Sequence, residues 1–261
     1  MKAKKVISMI LISGIILTLF TGCGNKKEAY SKESKVVNLT TGAIKTMDSV
    51  KATDSESFNI VQNTQETLLV YDNDKPVPGA AKSFEKSKDE KTYIFHLRDG
   101  LKWSDGKKLT SKDFKYAWTR ALNPDTAAEY AFQLYYIKGG ENYNNGTGSA
   151  EDLGINVVDN HTLEVTLENP TSYFLELTAF PTLMPVREDI VEANGDGWTL
   201  KPETYVSNGP FMLKEYNMKD SYVFVKNPEY YRKDEVKLDT LKFRMIEDEV
   251  SAYASVKNGE I

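Results

Sequence analysis

The sequence predicts an α/β or α+β protein with more than one lobe. Residues 93–97 alternate between the two sides as a half-buried strand does, and residues 110–121 carry apolar side chains at helical spacing. Hairpin patterns occur in two separated parts of the chain, so more than one lobe is expected. A content of 40% hydrophobic and 11% aromatic residues indicates a globular body.

The first elements after the N-terminal region are a short strand and a helix. Residues 36–39 form an apolar run that predicts a strand, followed by a Thr-Thr-Gly loop. From Ser57, apolar side chains fall on roughly one side up to Leu69, which predicts a helix ending before a turn at residues 71–74. Pro76 and Pro78 are then expected to end regular structure.

The clearest strand and helix follow one another. Residues 93–97 predict the strand, and Asp99-Gly100 is a turn signal. Thr110 with Asp113 three positions later predicts the start of a helix, because this spacing is typical of a helix cap. Asn123-Pro124 should stop that helix. Residues 138–149 are rich in Gly and Asn and predict a surface loop.

The C-terminal part alternates between strands and a final helix. Residues 157–167 predict a hairpin with its turn at Asp159-Asn160. Residues 222–225 and 241–245 predict strands, and residues 250–254 lie on a helix that Gly259 would cap.

The N-terminus has the pattern of an export signal. Three lysines within the first five residues precede a predominantly apolar run over residues 6–20, which is shorter than the roughly 20 apolar residues that span a bilayer. Residues 19–23 resemble the bacterial lipobox, in which cleavage leaves the cysteine to be acylated. We therefore expect a signal peptide over residues 1–22, a lipid on Cys23 and a flexible tether over residues 23–34.

Composition argues against several classes of function. Removing the three leader lysines takes the formal net charge from −5 to −8, which disfavours nucleic acid as a partner. The chain has two histidines and one cysteine, and neither histidine has further ligands at metal-binding spacing, so no metal or other cofactor is expected. Phosphate-binding glycine loops and the Gly-x-Ser-x-Gly motif of hydrolases do not occur.

One segment carries a family signature. Residues 92–110 read TYIFHLRDGLKWSDGKKLT and closely resemble the signature of the family 5 extracellular solute-binding proteins, which include the oligopeptide- and dipeptide-binding components of ABC importers. The resemblance extends over essentially the whole chain after the leader. Further matching segments are residues 111–118, 152–154, 159–167, 207–211 and 226–231.

The resemblance implies a fold and an organisation. The family has a periplasmic-binding-protein-like α/β clam-shell of type II, cluster C, whose lobes close on a ligand by hinge motion. By this similarity, residues 35–70 with 188–261 would form the first lobe and residues 71–187 a second, smaller lobe. Family members are about twice as long, so the chain is expected to be truncated before the third lobe.

The resemblance also implies a function. It predicts a non-enzymatic protein, lipid-anchored on the extracytoplasmic face of the cell membrane of a Gram-positive-type cell. Such a protein would bind oligopeptides and deliver them to ABC transporter permease subunits, with separate ATPase subunits acting indirectly. The residues that map onto the family's ligand site are Thr53, Asp54, Ser55, Ser57 and Phe180.

Other interpretations stay open at this point. A peptide-pheromone receptor on the same fold would hold one preferred peptide and act in signalling. A surface hydrolase or adhesin is a further alternative. The polar residues 53–57 would, in the simplest interpretation, only cap the helix that begins near Phe58.

Overall fold

A computed structural model of the chain describes residues 35–261. The predicted signal peptide, Cys23 and the tether lie outside the described residues. Within the described part, no helix has the length and apolar character needed to cross a membrane.

Ten strands and six α-helices make up the described region. The strands, β1 to β10 in chain order, are Val36–Thr41, Leu69–Asp72, Lys75–Pro78, Ala81–Lys86, Thr92–Leu97, Ile155–Asp159, Thr162–Thr166, Phe211–Asn217, Ser221–Lys226 and Thr240–Met245. The helices are Ser55–Thr64, Ser111–Leu122, Gly140–Asn144, Phe174–Leu177, Glu188–Asn194 and Glu249–Lys257. Short 3-10 turns connect several of these elements.

One four-stranded sheet joins the beginning and the end of the described chain. Its strand order is β1-β10-β9-β8, with β1 parallel to β10 and the other pairs antiparallel. Strands β9 and β10 and the start of β8 alternate in burial, as a sheet with one covered face does. The residues that point to the core are Phe211, Leu213, Tyr222, Phe224, Leu241 and Phe243.

A second four-stranded sheet lies in the middle of the sequence. Its order is β4-β5-β7-β6, and all its pairs are antiparallel. The Ser111–Leu122 helix contacts β6 and β7 with a face that buries Phe114 and Trp118 completely. Tyr93, Phe95 and Leu97 complete this core.

The helix predicted from Thr110 is confirmed as Ser111–Leu122. The Thr110 backbone N–H donates to the Asp113 carboxylate at 2.7 Å, so the predicted cap is formed. Asn123 takes an extended conformation and ends the helix immediately before Pro124, as predicted. Apolar spacing and capping agree here, which is why the sequence predicted this element well.

The helix predicted from Ser57 to Leu69 is shorter than expected. It spans Ser55–Thr64, and Gln65 is extended. The Gly209 backbone N–H donates to the Thr64 carbonyl at 2.9 Å, so a distant segment takes over a carbonyl at the helix end. A Cβ on Gly209 would lie 2.7 Å from the Thr64 carbonyl carbon, which shows how close this approach is. Leu69 therefore begins strand β2 instead of continuing the helix.

The prediction that Pro76 and Pro78 end regular structure is wrong, since both lie in strand β3. Asn73 and Asp74 have φ of 48° and 61°, as the two central residues of a tight hairpin turn require. From that turn, alternation places both prolines in the non-hydrogen-bonded pairs with Tyr71 and Leu69, where no backbone donor is needed.

Other elements were not predicted or were predicted differently, among them the Phe174–Leu177 and Glu188–Asn194 helices. Strands β4 and β8 gave no clear sequence signal, because β4 is exposed after its first residue and β8 carries a register shift between Leu213 and Glu215. The predicted loop over residues 138–149 contains the short Gly140–Asn144 helix. The Glu249–Lys257 helix ends near Gly259, which has a φ of 73°, as predicted.

Candidate functional site

The polar segment at residues 53–57 starts the first helix. The Asp54 carboxylate accepts hydrogen bonds from the Ser57 backbone N–H at 2.9 Å and from the Ser57 hydroxyl at 2.9 Å. The Thr46 backbone N–H donates to the same hydroxyl at 3.2 Å. Ser57 is completely buried, whereas Thr53 is half-buried and Ser55 is exposed.

This geometry separates the four polar residues into two groups. Asp54 and Ser57 satisfy the first turn of the helix and hold it against the preceding loop, which is a capping role. Thr53 and Ser55 remain at the surface on either side of Asp54. Peptide binding by any of the four stays a prediction; Ser57 is buried, whereas Thr53, Asp54 and Ser55 keep accessible surface.

Phe180, the fifth predicted residue, belongs to a cluster of four aromatic side chains. We call Phe58, Tyr130, Phe132 and Phe180 the aromatic cluster. The Phe58, Tyr130 and Phe180 rings form a closed triangle, with centroid separations of 6.1 Å for Phe58–Tyr130, 5.7 Å for Phe58–Phe180 and 5.3 Å for Tyr130–Phe180. Phe132 joins through an edge contact with Tyr130 at 5.6 Å.

The aromatic cluster connects the predicted site residues. Phe58 follows Ser57 directly in the first helix and contacts Phe180 from the segment after the Phe174–Leu177 helix. The structure therefore brings the 53–57 segment and Phe180 to one place. Phe58, Tyr130 and Phe132 were not proposed as site residues, because ring contacts between segments more than 40 residues apart leave no local pattern in the sequence.

The cluster differs from the aromatic residues of the core. Trp103, Phe114 and Trp118 are completely buried. All four members of the aromatic cluster keep part of their surface accessible, and Phe132 is 49% exposed. A contiguous set of accessible rings is the usual composition of a ligand-contacting surface.

A buried ion pair fixes the loop that leads into the site. The two terminal nitrogens of Arg120 donate to the Asp48 carboxylate at 3.1 and 2.7 Å. The Trp198 Nε1–H and the Val50 backbone N–H donate to the same carboxylate at 3.3 and 3.1 Å. The Asp48 carbonyl accepts from the Ala52 backbone N–H at 2.9 Å, so the pair sets the position of the chain immediately before Thr53.

A second buried network lies where the first helix gives way to β2. The Glu66 carboxylate accepts from the Arg232 guanidinium at 3.0 Å and from the Tyr230 hydroxyl. The Asn208 side chain bonds both the N–H and the carbonyl of Glu66, at 3.0 and 2.9 Å. Burial and the Glu66 charge raise the pKa of Tyr230 well above its usual range. The network ties residues 207–232 to the strand that leaves the first helix.

Three cavities among the described residues are lined by residues other than the aromatic cluster. A pocket of about 250 Å³ beside Asp48 contains Lys51 and Asp196, which pair with each other at 2.7 Å. Burial, with Tyr216 nearby, raises the pKa of Tyr222 on its wall to about 12. Within residues 35–261, no group of three or more His, Cys, Asp or Glu side chains could hold a metal ion.

Comparison with known proteins identifies the family. Residues 75–261 match the model for bacterial extracellular solute-binding proteins, family 5 middle. The chain belongs to this family. The oligopeptide-binding protein OppA of Bacillus subtilis is 39% identical over 267 residues, which cover 100% of this chain and 49% of that protein. The chain thus spans about half the length of this relative.

Solved structures confirm the expected fold for the described residues. The substrate-binding domain of an oligopeptide ABC transporter from Bacillus anthracis has a TM-score of 0.84 at 41% identity, covering 88% of this chain and 45% of that one. OppA of Haemophilus influenzae in complex with RPPGFSPFR has a TM-score of 0.82 at 31% identity, with 88% and 45% covered. The pheromone receptor PrgZ has a TM-score of 0.82 at 28% identity, with 87% and 46% covered.

Proposed function

We propose that this protein binds oligopeptides outside the cytoplasm and delivers them to the permease of an ABC importer. The observation that carries the proposal is the aromatic cluster beside the capped segment at residues 53–57, in a chain of the extracellular solute-binding family. Relatives named for oligopeptide binding support it. The protein acts by binding and release, without catalysis, and needs no cofactor.

The ligand would lie against accessible polar groups and rings together. Thr53 and Ser55 offer hydroxyls, and Asp54 offers extended backbone. Phe58, Tyr130 and Phe180 offer an apolar wall. Peptides bind in this way when their backbone meets strand-like segments and their side chains enter apolar pockets. Asp54 and Ser57 contribute by holding the helix start in place.

The two sheets support a division into lobes. We assign residues 35–70 and 188–261 to one lobe and residues 71–187 to a second, smaller one. The β1-β10-β9-β8 sheet falls entirely in the first set of residues, and the β4-β5-β7-β6 sheet falls entirely in the second. The Asp48–Arg120 pair and the Tyr231–Gly79 hydrogen bond would then connect them.

The protein would be exported and anchored by lipid. Its signal peptide would end at Gly22, Cys23 would carry the acyl chains, and residues 23–34 would act as the tether at the cell membrane. Metabolic labelling with a palmitate analogue should label the protein, and Cys23→Ser should abolish the label. A labelled Cys23→Ser variant would contradict the anchor.

Peptide binding is tested by nuclear magnetic resonance titration with a mixture of unrelated tri- to pentapeptides. We expect saturable shifts of the backbone amides of residues 53–58, with free amino-acid mixtures as the control. Absence of saturable shifts with every peptide would overturn the proposal.

A second candidate function is peptide-pheromone binding, favoured by the similarity to PrgZ. In that case one peptide would bind far more tightly than unrelated peptides of the same length. Competition between the members of the mixture separates the two functions, because an importer component should show similar affinities across the mixture.

A further inference from the structure

The aromatic cluster carries information on which side chains the site prefers. Three of its rings come from three separate segments and form a closed triangle, and Phe132 adds a fourth ring on one side. Among the described ring contacts, Phe132 is joined to the cluster through Tyr130 alone. Phe132 is therefore an accessible ring at the edge of a fixed aromatic surface.

The angles between the rings of the aromatic cluster would allow one more aromatic ring to pack at its edge. The Phe58–Phe180 and Tyr130–Phe180 planes cross at 75° and 85°, and Tyr130–Phe132 at 62°. Edge-to-face pairs are favoured because the positive edge of one ring meets the negative face of another. An aromatic side chain of a bound peptide can add one more such pair at the exposed Phe132 ring, whereas a small aliphatic side chain cannot.

We propose that the aromatic cluster is a subsite that selects peptides with an aromatic side chain, and that Phe132 determines this preference. The inference rests on the proposed peptide-binding function and adds the substrate class. The related H. influenzae OppA was solved in complex with RPPGFSPFR, a peptide that contains phenylalanine.

The test compares tetra-alanine with the four peptides that carry one phenylalanine at each position in turn. Affinities are measured by nuclear magnetic resonance titration of the isotope-labelled protein, which also detects weak binding. At least one phenylalanine peptide should bind about tenfold more tightly than tetra-alanine, which corresponds to about 1.4 kcal/mol. It should shift the amides of residues 130–133 as well as those of residues 53–58.

Variants assign the preference to Phe132. Phe132→Ala should reduce the tenfold ratio to about twofold or less with little change for tetra-alanine, and Phe132→Tyr should retain the ratio, because an edge-to-face pair needs the ring. Phe84→Ala is the matched control, since Phe84 is also an accessible phenylalanine, at 37% exposure, but lies on β4. Phe84→Ala should leave the ratio unchanged.

The outcomes separate this inference from the function on which it rests. If all five peptides bind equally, or if Phe132→Ala keeps the tenfold ratio, the aromatic subsite is overturned while peptide binding stands. If none of the five peptides binds, the proposed function is overturned and the subsite with it.

Discussion

Replacing Asp48 with asparagine should be among the most destabilising single changes that keep the volume of a side chain. The side chains of Asp48 and Arg120 are only 5% and 11% exposed, and the carboxylate receives four hydrogen bonds. Asparagine keeps one acceptor oxygen but has an NH₂ group in place of the other. That NH₂ group is a donor, and it would face the N–H donors that now bond the Asp48 carboxylate. Removing one partner of a buried ion pair costs about 3–5 kcal/mol, because the other charge stays buried without compensation. We expect a loss in this range for Asp48→Asn.

The assay is chemical denaturation followed by far-ultraviolet circular dichroism, which avoids the Trp198 signal at the site itself. Arg120→Met should cost about 3 kcal/mol alone. The double variant should be more stable than the sum of both losses predicts, with a coupling of about 2 kcal/mol, because it leaves no unpaired charge.

A nearby ion pair provides the matched control. Lys51 and Asp196 pair at 2.7 Å, but their side chains are 30% and 81% exposed. Asp196→Asn should therefore cost less than about 0.5 kcal/mol. Losses below about 1 kcal/mol for Asp48→Asn, or strictly additive losses in the double variant, would refute the reasoning that burial makes this pair important.

Three further outcomes follow from the geometry. In thermal unfolding, Gly209→Ala should destabilise the protein by about 1–3 kcal/mol, because the new Cβ would lie within 2.9 Å of backbone atoms. The control Gly197→Ala should cost less than about 1 kcal/mol, because a Cβ there would have nothing within 4 Å. Trp118→Ala should cost about 3–5 kcal/mol in urea unfolding, because the ring is completely buried. Arg187 and Lys107 lower the pKa of the Asp189 carboxyl below its usual range. The stability that Asp189 adds is thus present above about pH 4 and lost as the pH falls through the lowered pKa, so the difference in urea midpoint between wild type and Asp189→Asn should shrink from pH 7 to pH 3.

Elements whose local signals agree could be predicted from the sequence. The Ser111–Leu122 helix has both a cap and a buried stripe, and β5 alternates regularly because one face of its sheet packs on the core. The family signature covers this same stretch. Because the local signals agree in these elements, this single sequence was sufficient to predict them.

Elements that depend on distant partners could not be predicted. The first helix ends at Thr64, where the Gly209 backbone N–H donates to the Thr64 carbonyl. The residues next to Thr64 in the sequence carry no signal for this contact. Phe180 was predicted as a site residue through the family resemblance, but Tyr130 and Phe132 join it only in three dimensions. Likewise, the capping bonds of Asp54 and Ser57 become visible only when side-chain directions are known.

The pairing of β1 with β10 has a consequence for the order of folding. The Lys35 backbone N–H donates to the Asp239 carboxylate across 204 positions, and among residues 35–261 β1 pairs with β10 alone. Closing a loop of this length is slow compared with forming a hairpin such as β8–β9. As the first strand of the described region, β1 therefore stays unpaired during synthesis until nearly the whole of that region has been made. These six residues would then be the part of this sheet most open to unwanted edge pairing during folding.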